Sequence, residues 1–167
     1  MMNMPKLDRI DVKILAELQR SGRMTNADLA DKVGLSPSPC LARVKRLEEA
    51  GYISNYSANL NLSKLRAVQV VFTSVTLGDH KLEDFMKFEQ GMQHVEELVE
   101  CHLVSGGFDY LLKFVVKGIP HYQDLMERIL ERKIGVSKYF SYIVVKSPII
   151  RGYVPVRMLL GGDDDHH

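Results

Sequence analysis

The chain has 167 residues, of which 46% are hydrophobic and 26% charged, and its formal net charge is +1. This length suits one domain of ordinary size or two small ones, and the composition is that of a folded globular protein. The sequence holds no apolar run near the roughly 18 residues that predict a membrane span, and residues 1–6 lack the pattern of a signal peptide. The overall charge by itself indicates no nucleic-acid partner.

Cysteine and histidine usage indicates a protein without a metal site. Cys40 and Cys101 are too few for a disulfide framework, and we expect both to be reduced core thiols of a cytoplasmic protein. The histidines are scattered, and none stands at zinc-finger spacing from a cysteine. The sequence also lacks a phosphate-binding loop, a dinucleotide fingerprint and a nucleophile elbow. We therefore predict neither metal nor cofactor.

Three helix starts share one local pattern in the first third of the chain. Asp8, Thr25 and Ser36 each stand where a side-chain oxygen would cap a helix, and each follows an apolar residue. The apolar stripe after each cap ends near a glycine: Gly22, Gly34 and Gly51. The second and third helices are separated only by a short turn, as in a helix-turn-helix. The β-type segments between residues 52 and 62 then predict a wing.

The third helix is the predicted DNA-reading element. Its apolar residues Leu41, Val44 and Leu47 recur at helical spacing, so we expect them to face the core. The opposite face then holds small residues near its start and cations further on: Ser38, Pro39, Ala42, Arg43 and Arg46. Small residues let a helix start enter the major groove closely, where hydroxyls and arginines meet base edges and phosphates.

A second interpretation of this face is that of a solvated helix surface. A few basic residues are commonplace on the outside of an ordinary three-helix bundle. The absence of acidic residues from 36 to 47 favours DNA instead. On the DNA interpretation, Arg43→Ala relaxes sequence preference, whereas Lys45→Ala or Lys64→Ala matters less.

The remainder of the chain predicts a doubled strand-helix-strand pattern. The predicted strands span 67–77, 98–104, 110–116 and 138–146, with helices over 81–92 and from 120 onwards. This order predicts an α+β, ferredoxin-like domain with an antiparallel sheet and both helices on one face. A partner subunit is the expected cover for the other face, so we predict an oligomer. The segment 153–159 is predicted to be a late strand that crosses to the partner.

A glycine pair between two predicted strands is the candidate effector loop. Gly106 and Gly107, after Ser105, free the backbone to turn its N–H groups inward, where they would donate hydrogen bonds to an α-carboxylate. Asp109 would pair with an α-ammonium group, and Tyr110 would supply a wall or a hydroxyl. Turn chemistry explains the same residues equally well, with the glycines as a hairpin turn and Asp109 as its cap.

Two segments carry a resemblance to a known family. The segment 35–48, with Ser-Pro-Ser-Pro-Cys at 36–40, closely resembles the recognition-helix segment of the Lrp/AsnC (feast/famine) transcription regulators, and the opening 7–11 resembles theirs too. The segment 100–112 resembles the effector-responsive loop and strand of that family, although the family often has a non-glycine residue at Gly107. The resemblance covers residues 7–146.

The resemblance implies a domain plan and a function. The plan is a winged helix-turn-helix at 6–58, a linker at 59–66, and a ferredoxin-like βαββαβ (RAM-type) effector and oligomerisation domain at 67–160. The tail 161–167 is expected to be disordered or non-native. The implied function is sequence-specific regulation of amino-acid metabolism by a cytoplasmic, nucleoid-associated homo-oligomer, a dimer or a tetramer or octamer, that binds double-stranded DNA and an amino-acid effector.

The resemblance also places the site residues. The expected DNA-binding residues are Thr25, Ser36, Ser38, Pro39, Arg43 and Arg46. The expected effector residues, at a subunit interface, are Ser105, Gly106, Gly107, Asp109, Tyr110, Ile119, Tyr142 and Val144.

Two other functional classes stay open beside this prediction. One is an architectural, effector-insensitive protein that wraps DNA largely through backbone contacts. The other is a small enzyme, in which His102 and Asp109 would form an acid–base pair. A strand histidine is more often a satisfied structural group, so we predict no catalysis.

Overall fold

The computed structural model describes residues 6–160, which form two compact units. The first unit combines residues 6–60 with residues 149–160, and the second unit spans residues 61–148. The second unit therefore ends before the predicted domain boundary at 160, because the last described residues belong with the N-terminal helices. The predicted tail at 161–167 lies outside the described residues.

The N-terminal helices of the first unit follow the predicted caps. They are α1 (Arg9–Leu18), α2 (Asn26–Val33) and α3 (Pro37–Glu49). Asp8 and Asp11 form a reciprocal capping box at the start of α1, and the Thr25 hydroxyl accepts the Asp28 N–H at 3.1 Å. Ser36 has cap geometry but accepts no side-chain cap hydrogen bond from the described residues. Side chains of all three helices make one core: Ile14, Leu18, Leu29, Ala30, Val33, Cys40 and Leu47.

The structure differs from the prediction at two segments of this unit. The described residues 52–61 contain no strand, so the predicted β-type wing is not formed there. A strand needs a second strand to pair with, and the sheet of the described residues contains only strands from 69 to 143. The segment predicted as a late strand instead contains a helix, α6 (Val156–Leu160). Pro155 immediately precedes α6, and its carbonyl accepts the Leu159 N–H at 3.0 Å.

The second unit is an antiparallel four-stranded sheet with two helices on one face, which confirms the ferredoxin-like prediction. Its elements are β1 (Gln69–Leu77), α4 (Leu82–Met92), β2 (Leu98–Leu103), β3 (Tyr110–Val116), α5 (Ile119–Glu131) and β4 (Val136–Ile143). The strand order is β2-β3-β1-β4, so β2 and β4 are the edges. Alternate residues of β1 and β3, such as Val71, Val75 and Phe114, pack against Phe88 of α4 and Leu125 of α5.

The two cysteines have different environments. Cys40 is buried in the first core, as predicted, but Cys101 is exposed, so the prediction of a core thiol is wrong there. Cys101 lies on the edge strand β2, where only one neighbouring strand covers it. Among the described residues, the structure has no helix both long and apolar enough to cross a bilayer.

Candidate DNA-binding and effector sites

A short turn fixes the start of α3 against α2. Gly34 ends α2 with φ 75°, a left-handed conformation that favours glycine, and the Leu35 N–H then donates to the Ala30 carbonyl at 2.9 Å. The Asn26 side-chain amide donates to the Pro37 carbonyl at 2.8 Å. The first turn of α3 is therefore held by backbone and side-chain bonds to α2.

The faces of α3 are rotated relative to the prediction. Cys40 and Leu47 are buried and Val44 is half-buried, so the core stripe follows i, i+4 and i+7 spacing. Leu41 is 44% exposed, and the prediction that it packs in the core is wrong. The opposite face is centred on Ser38, Ala42, Lys45 and Glu49, which are all exposed. Cys40 was the sequence signal for this rotation, because it begins the stripe that ends at Leu47.

Arg43 and Arg46 belong to an internal network of charges. Arg43 Nη1 donates to Asp11 Oδ1 at 2.8 Å, and Arg46 Nη2 donates to Asp11 Oδ2 at 2.6 Å. Arg43 Nη1 also donates to Asp8 Oδ2 at 2.6 Å. The side chain of Asp11 is only 1% exposed, whereas that of Arg43 is 27% and that of Arg46 is 47% exposed. Both arginines thus bridge α3 to the first turn of α1.

The titration of this network reflects its hydrogen bonds. The backbone N–H of Asp11 and then the Arg43 guanidinium lower the pKa of Asp8 below its ordinary value. The Asp8 and Asp11 carboxylates in turn raise the pKa of Arg43. Asp8 and Arg43 are therefore both charged at neutral pH.

The other predicted DNA-binding residues lie at the surface near the start of α3. Ser36, Ser38, Pro39 and Thr25 are exposed. The Thr25 hydroxyl already donates to the Asp28 carboxylate at 2.6 Å, in addition to accepting its N–H. Lys45, which sequence reasoning ranked below Arg43, is exposed and makes no hydrogen bond or ion pair with any residue of 6–160.

Asp109 closes the glycine loop of the second unit. Its carboxylate accepts the Leu77 N–H at 2.7 Å and lies 3.1 Å from His80 Nε2, and its backbone N–H donates to the Val75 carbonyl at 2.9 Å. The carboxylate therefore bonds to the end of β1 and not to the glycine loop, whereas the hairpin is closed by its backbone, through the Val104 N–H that donates to the Asp109 carbonyl at 2.9 Å. The predicted acid–base pair is not assembled in the described residues, since His102 lies 3.3 Å from Glu100 instead.

The two glycines of the loop differ in their backbone requirements. Gly106 has φ 149°, in the region that favours glycine. Gly107 has no positive φ, and a Cβ built there meets no atom of the described residues within 4 Å. A side chain at position 107 therefore fits this loop without rearrangement.

Tyr110 is buried beside a cavity under the edge of the sheet. Its ring lies 4.5 Å from that of Phe88, and its hydroxyl donates to Glu89 at 2.7 Å. Burial, and then the bond to Glu89, raises the pKa of Tyr110. The cavity has a volume of about 320 Å³, and its lining is mainly apolar with one carboxylate and one amide: Glu89, Met92, Gln93, Val95, Leu98, Cys101, Leu103 and Tyr110.

The remaining predicted effector residues lie towards the other end of the sheet. Ile119 begins α5 and is half-buried, Tyr142 on β4 is 56% exposed, and the Val144 N–H donates to the Val70 carbonyl at 3.0 Å. Tyr110 pairs across from Val75, five positions along β1 from Val70, which is about 17 Å of strand. One chain therefore does not bring this group together with the glycine loop.

The fold and the exposed helix-turn-helix define a class of protein: a DNA-binding regulator with a separate ligand-binding unit. Residues 7–54 match the family of winged helix-turn-helix DNA-binding domains, and residues 70–154 match the Lrp/AsnC ligand binding domain. The chain belongs to the Lrp/AsnC family of transcription regulators, which confirms the resemblance seen in its sequence.

Relatives of known name support the same assignment over most of the chain. The leucine-responsive regulatory protein of Haemophilus influenzae is 49% identical over 140 residues, which cover 84% of each chain. A transcriptional regulator from Neisseria meningitidis, solved in complex with L-methionine, superposes with a TM-score of 0.85 at 32% identity and covers 92% of this chain and 99% of its own. An AsnC family regulator from Agrobacterium tumefaciens has a TM-score of 0.85 and 34% identity, with coverages of 92% and 100%.

Proposed function

We propose that this protein is a sequence-specific regulator of amino-acid metabolism whose binding to double-stranded DNA responds to a small amino acid. The observation that carries the proposal is the exposed face of α3, which is small at its start and carries Lys45, a cation without a partner among residues 6–160, one turn before Glu49. A helix of this kind fits the major groove of DNA. Regulation then follows from binding alone, without a catalytic step, and the protein acts on the nucleoid in the cytoplasm.

The proposed DNA contacts come from the start of α3 and the turn before it. Ser36, Ser38 and Pro39 are exposed there, and Thr25 lies at the start of α2. Arg46 is 47% exposed beside its bond to Asp11, so part of its guanidinium remains accessible to a phosphate. Arg43 bonds to two carboxylates, those of Asp8 and Asp11, and this geometry favours a role in the fold of the helix-turn-helix.

The proposed effector is an apolar amino acid bound between subunits. The relatives support this chemistry, since one is named for leucine and another is solved with L-methionine. The glycine loop lies some 17 Å of strand from the other predicted effector residues, so a partner subunit has to supply one of the two groups. On this proposal, Ser105, Gly106, Gly107, Asp109 and Tyr110 of one chain face Ile119, Tyr142 and Val144 of another.

Assembly is proposed to occur through the uncovered face of the sheet. On that face Phe72 pairs across from Tyr142, and Phe140 lies two positions before Tyr142 on β4. Phe140 and Tyr142 are 53% and 56% exposed. An apolar sheet face of this kind is normally covered by a second layer. A homodimer is the minimum assembly, and tetramers or octamers of such dimers are the proposed larger forms.

Two measurements on the purified protein test the proposal. Selection from a random-sequence duplex library recovers a defined motif if α3 reads bases, and recovers no motif if it does not. Calorimetry with each of the twenty amino acids then identifies the effector, which we expect to change the affinity for the selected duplex. Binding to DNA without any amino-acid response would favour the architectural alternative.

A further inference from the structure

A single buried carboxylate joins the two arginines of α3. Both oxygens of Asp11 are occupied, Oδ1 by Arg43 at 2.8 Å and Oδ2 by Arg46 at 2.6 Å. Oδ2 also accepts the Asp8 N–H at 3.1 Å, which completes the capping box of α1. With its side chain 1% exposed, Asp11 depends on these donors, because a buried carboxylate without partners is strongly unfavourable.

Because of the spacing of the two arginines, their bonds to Asp11 hold α3 in one orientation; Asp11, Arg43 and Arg46 are called the clamp below. Residues three positions apart lie on one face of a helix, so Arg43 and Arg46 approach Asp11 from the same side of α3. Asp11 is itself fixed in the first turn of α1 by its bond with the N-cap. Two short charge-assisted bonds from one face therefore fix both the distance of α3 from α1 and its rotation about its own axis.

The rotation that the clamp fixes decides which residues face outward. With the two arginines turned towards α1, the exposed face is the one centred on Ser38, Ala42, Lys45 and Glu49. Lys45 is the cation of that face, and it has no partner among residues 6–160. This order differs from the sequence-based expectation, in which Arg43 read DNA and Lys45 mattered less.

We propose that Asp11 is a positioning residue for DNA recognition, which acts through Arg43 to set the rotation of α3, while Lys45 contacts the DNA backbone. On this proposal Arg43 holds α3 in the orientation that reads DNA, and does not itself contact the duplex. The Arg46 guanidinium bonds to Asp11 and is also partly exposed to solvent. The inference rests on the proposed function, because it assumes that α3 is the helix that enters the groove.

The salt dependence of binding separates a positioning residue from a phosphate contact. Each phosphate contact releases a counterion, so the loss of one lowers the slope of log affinity against log salt by about 0.9. We expect Lys45→Ala to lower the slope by about 1.8, because each subunit of the proposed dimer loses one contact, and to leave the melting temperature unchanged. We expect Asp11→Asn and Arg43→Ala to leave the slope unchanged. The probe is a duplex selected by the wild-type protein from a random-sequence library.

The ratio of affinities for two DNA sequences distinguishes a residue that positions α3 from one that only stabilises the fold. All variants are compared well below their melting temperatures, on the selected duplex and on a scrambled duplex of equal length and composition. Asp11→Asn and Arg43→Ala should each reduce the affinity ratio between the two duplexes by about tenfold or more, because a rotated helix misplaces its base contacts. The double variant should lose no more than either single one, since both break the same link.

Matched controls keep the result interpretable. Lys87→Ala removes one exposed cation from the second unit and should change neither the slope nor the ratio. Asp8→Asn removes only the exposed partner of Arg43 and gives a milder variant, which keeps the test usable if Asp11→Asn does not fold. It should lower the affinity ratio by a smaller factor than Arg43→Ala, again without a change in slope.

Several outcomes overturn the proposal. A fall of about 1.8 in slope for Arg43→Ala, one contact for each subunit of the dimer, at unchanged melting temperature assigns Arg43 to a phosphate. A lower melting temperature with the wild-type affinity ratio, for Asp11→Asn or for Asp8→Asn in its place, leaves these carboxylates with a purely structural role. If the wild-type protein selects no motif at all, the proposed function fails and not only the clamp.

Discussion

Asp8 and Arg43 together give the first unit an acid-sensitive contact. Hydrogen bonds from Asp11 and Arg43 hold the pKa of Asp8 below its ordinary value of 3.8. A carboxylate whose pKa is lower in the folded state stabilises that state above its unfolded pKa, and the contribution is lost as the pH falls through the folded pKa. The contact is therefore intact at neutral pH and is lost below about pH 4.

Asp8→Asn should reduce the acid sensitivity of the first unit. The variant is expected to unfold less steeply between about pH 4 and pH 2 than the wild type, because it has one fewer carboxylate to protonate. The measurement is the melting temperature as a function of pH. The replacement of Asp79, which is exposed and outside this network, is the control. Parallel curves for Asp8→Asn and the wild type would contradict the assignment.

The thiols of the two cysteines should react at different rates. Cys101 is exposed, but partial burial and the nearby Glu89 raise its pKa, so little thiolate is present at pH 7. We expect iodoacetamide to modify it slowly at pH 7 and faster as the pH rises, and to modify Cys40 only after unfolding. Mass spectrometry of the labelled peptides checks this, and modification of native Cys40 before Cys101 would contradict it.

At the level of helices and strands, the sequence predicted local features such as helix caps, but not the contacts between helices. Caps at Asp8 and Thr25 lie where the sequence placed them, because a cap depends on residues within one turn. The pairing of Arg43 and Arg46 with Asp11 spans 32 and 35 positions, and no short-range pattern encodes it. Their charge indicated a surface role, while the partner that occupies them lies on another helix.

Helix α6 shows why the segment 153–159 was mispredicted. Its apolar residues suit a strand, but Pro155 sets a helical first turn, and the segment then docks on α1. Gln19 of α1 donates to the Val154 carbonyl at 2.7 Å and accepts the Val154 N–H at 3.0 Å. Arg157 adds a contact of 3.1 Å to Glu17. These partners lie about 135 positions away, beyond the reach of a local pattern.

Gln19→Ala should release the C-terminal segment from α1. The loss of two hydrogen bonds costs about 1–2 kcal/mol, so the docked form should open about 5 to 30 times more often. Trypsin cleavage after Arg151 and Arg157, followed by mass spectrometry, reports this opening. Gln90→Ala, an exposed glutamine of α4, is the matched control. Equal cleavage rates in the two variants would mean that the Gln19 bonds contribute nothing to docking.

For the whole molecule, the proposal that the uncovered sheet face forms the subunit interface can be tested directly. Phe140→Asp places a charge among Phe72, Tyr142 and their neighbours, where a partner's sheet would have to exclude water from it. Each dimer carries the change twice, so we expect the dissociation constant to rise at least about 100-fold. Analytical ultracentrifugation checks the mass. Leu82→Asp, at a residue 77% exposed at the start of α4, should leave the mass unchanged.

The sequence predicted the fold of the whole molecule better than its division into units. The strand-helix-strand order depends on local periodicity, and the sheet formed as expected. The extent of the first unit was not predictable in this way, because residues 149–160 join it only through contacts with α1 and its surroundings.

The divided first unit has a consequence for the order of synthesis. Ribosomes make residues 6–60 first, then all of 61–148, and only afterwards the segment that carries α6. Until that segment leaves the exit tunnel, the side chain of Gln19 has no Val154 to bind. A nascent chain stalled after residue 148 would hold every residue of the sheet unit, whereas its helix-turn-helix unit would still lack α6. Each newly translated copy therefore completes the first unit last.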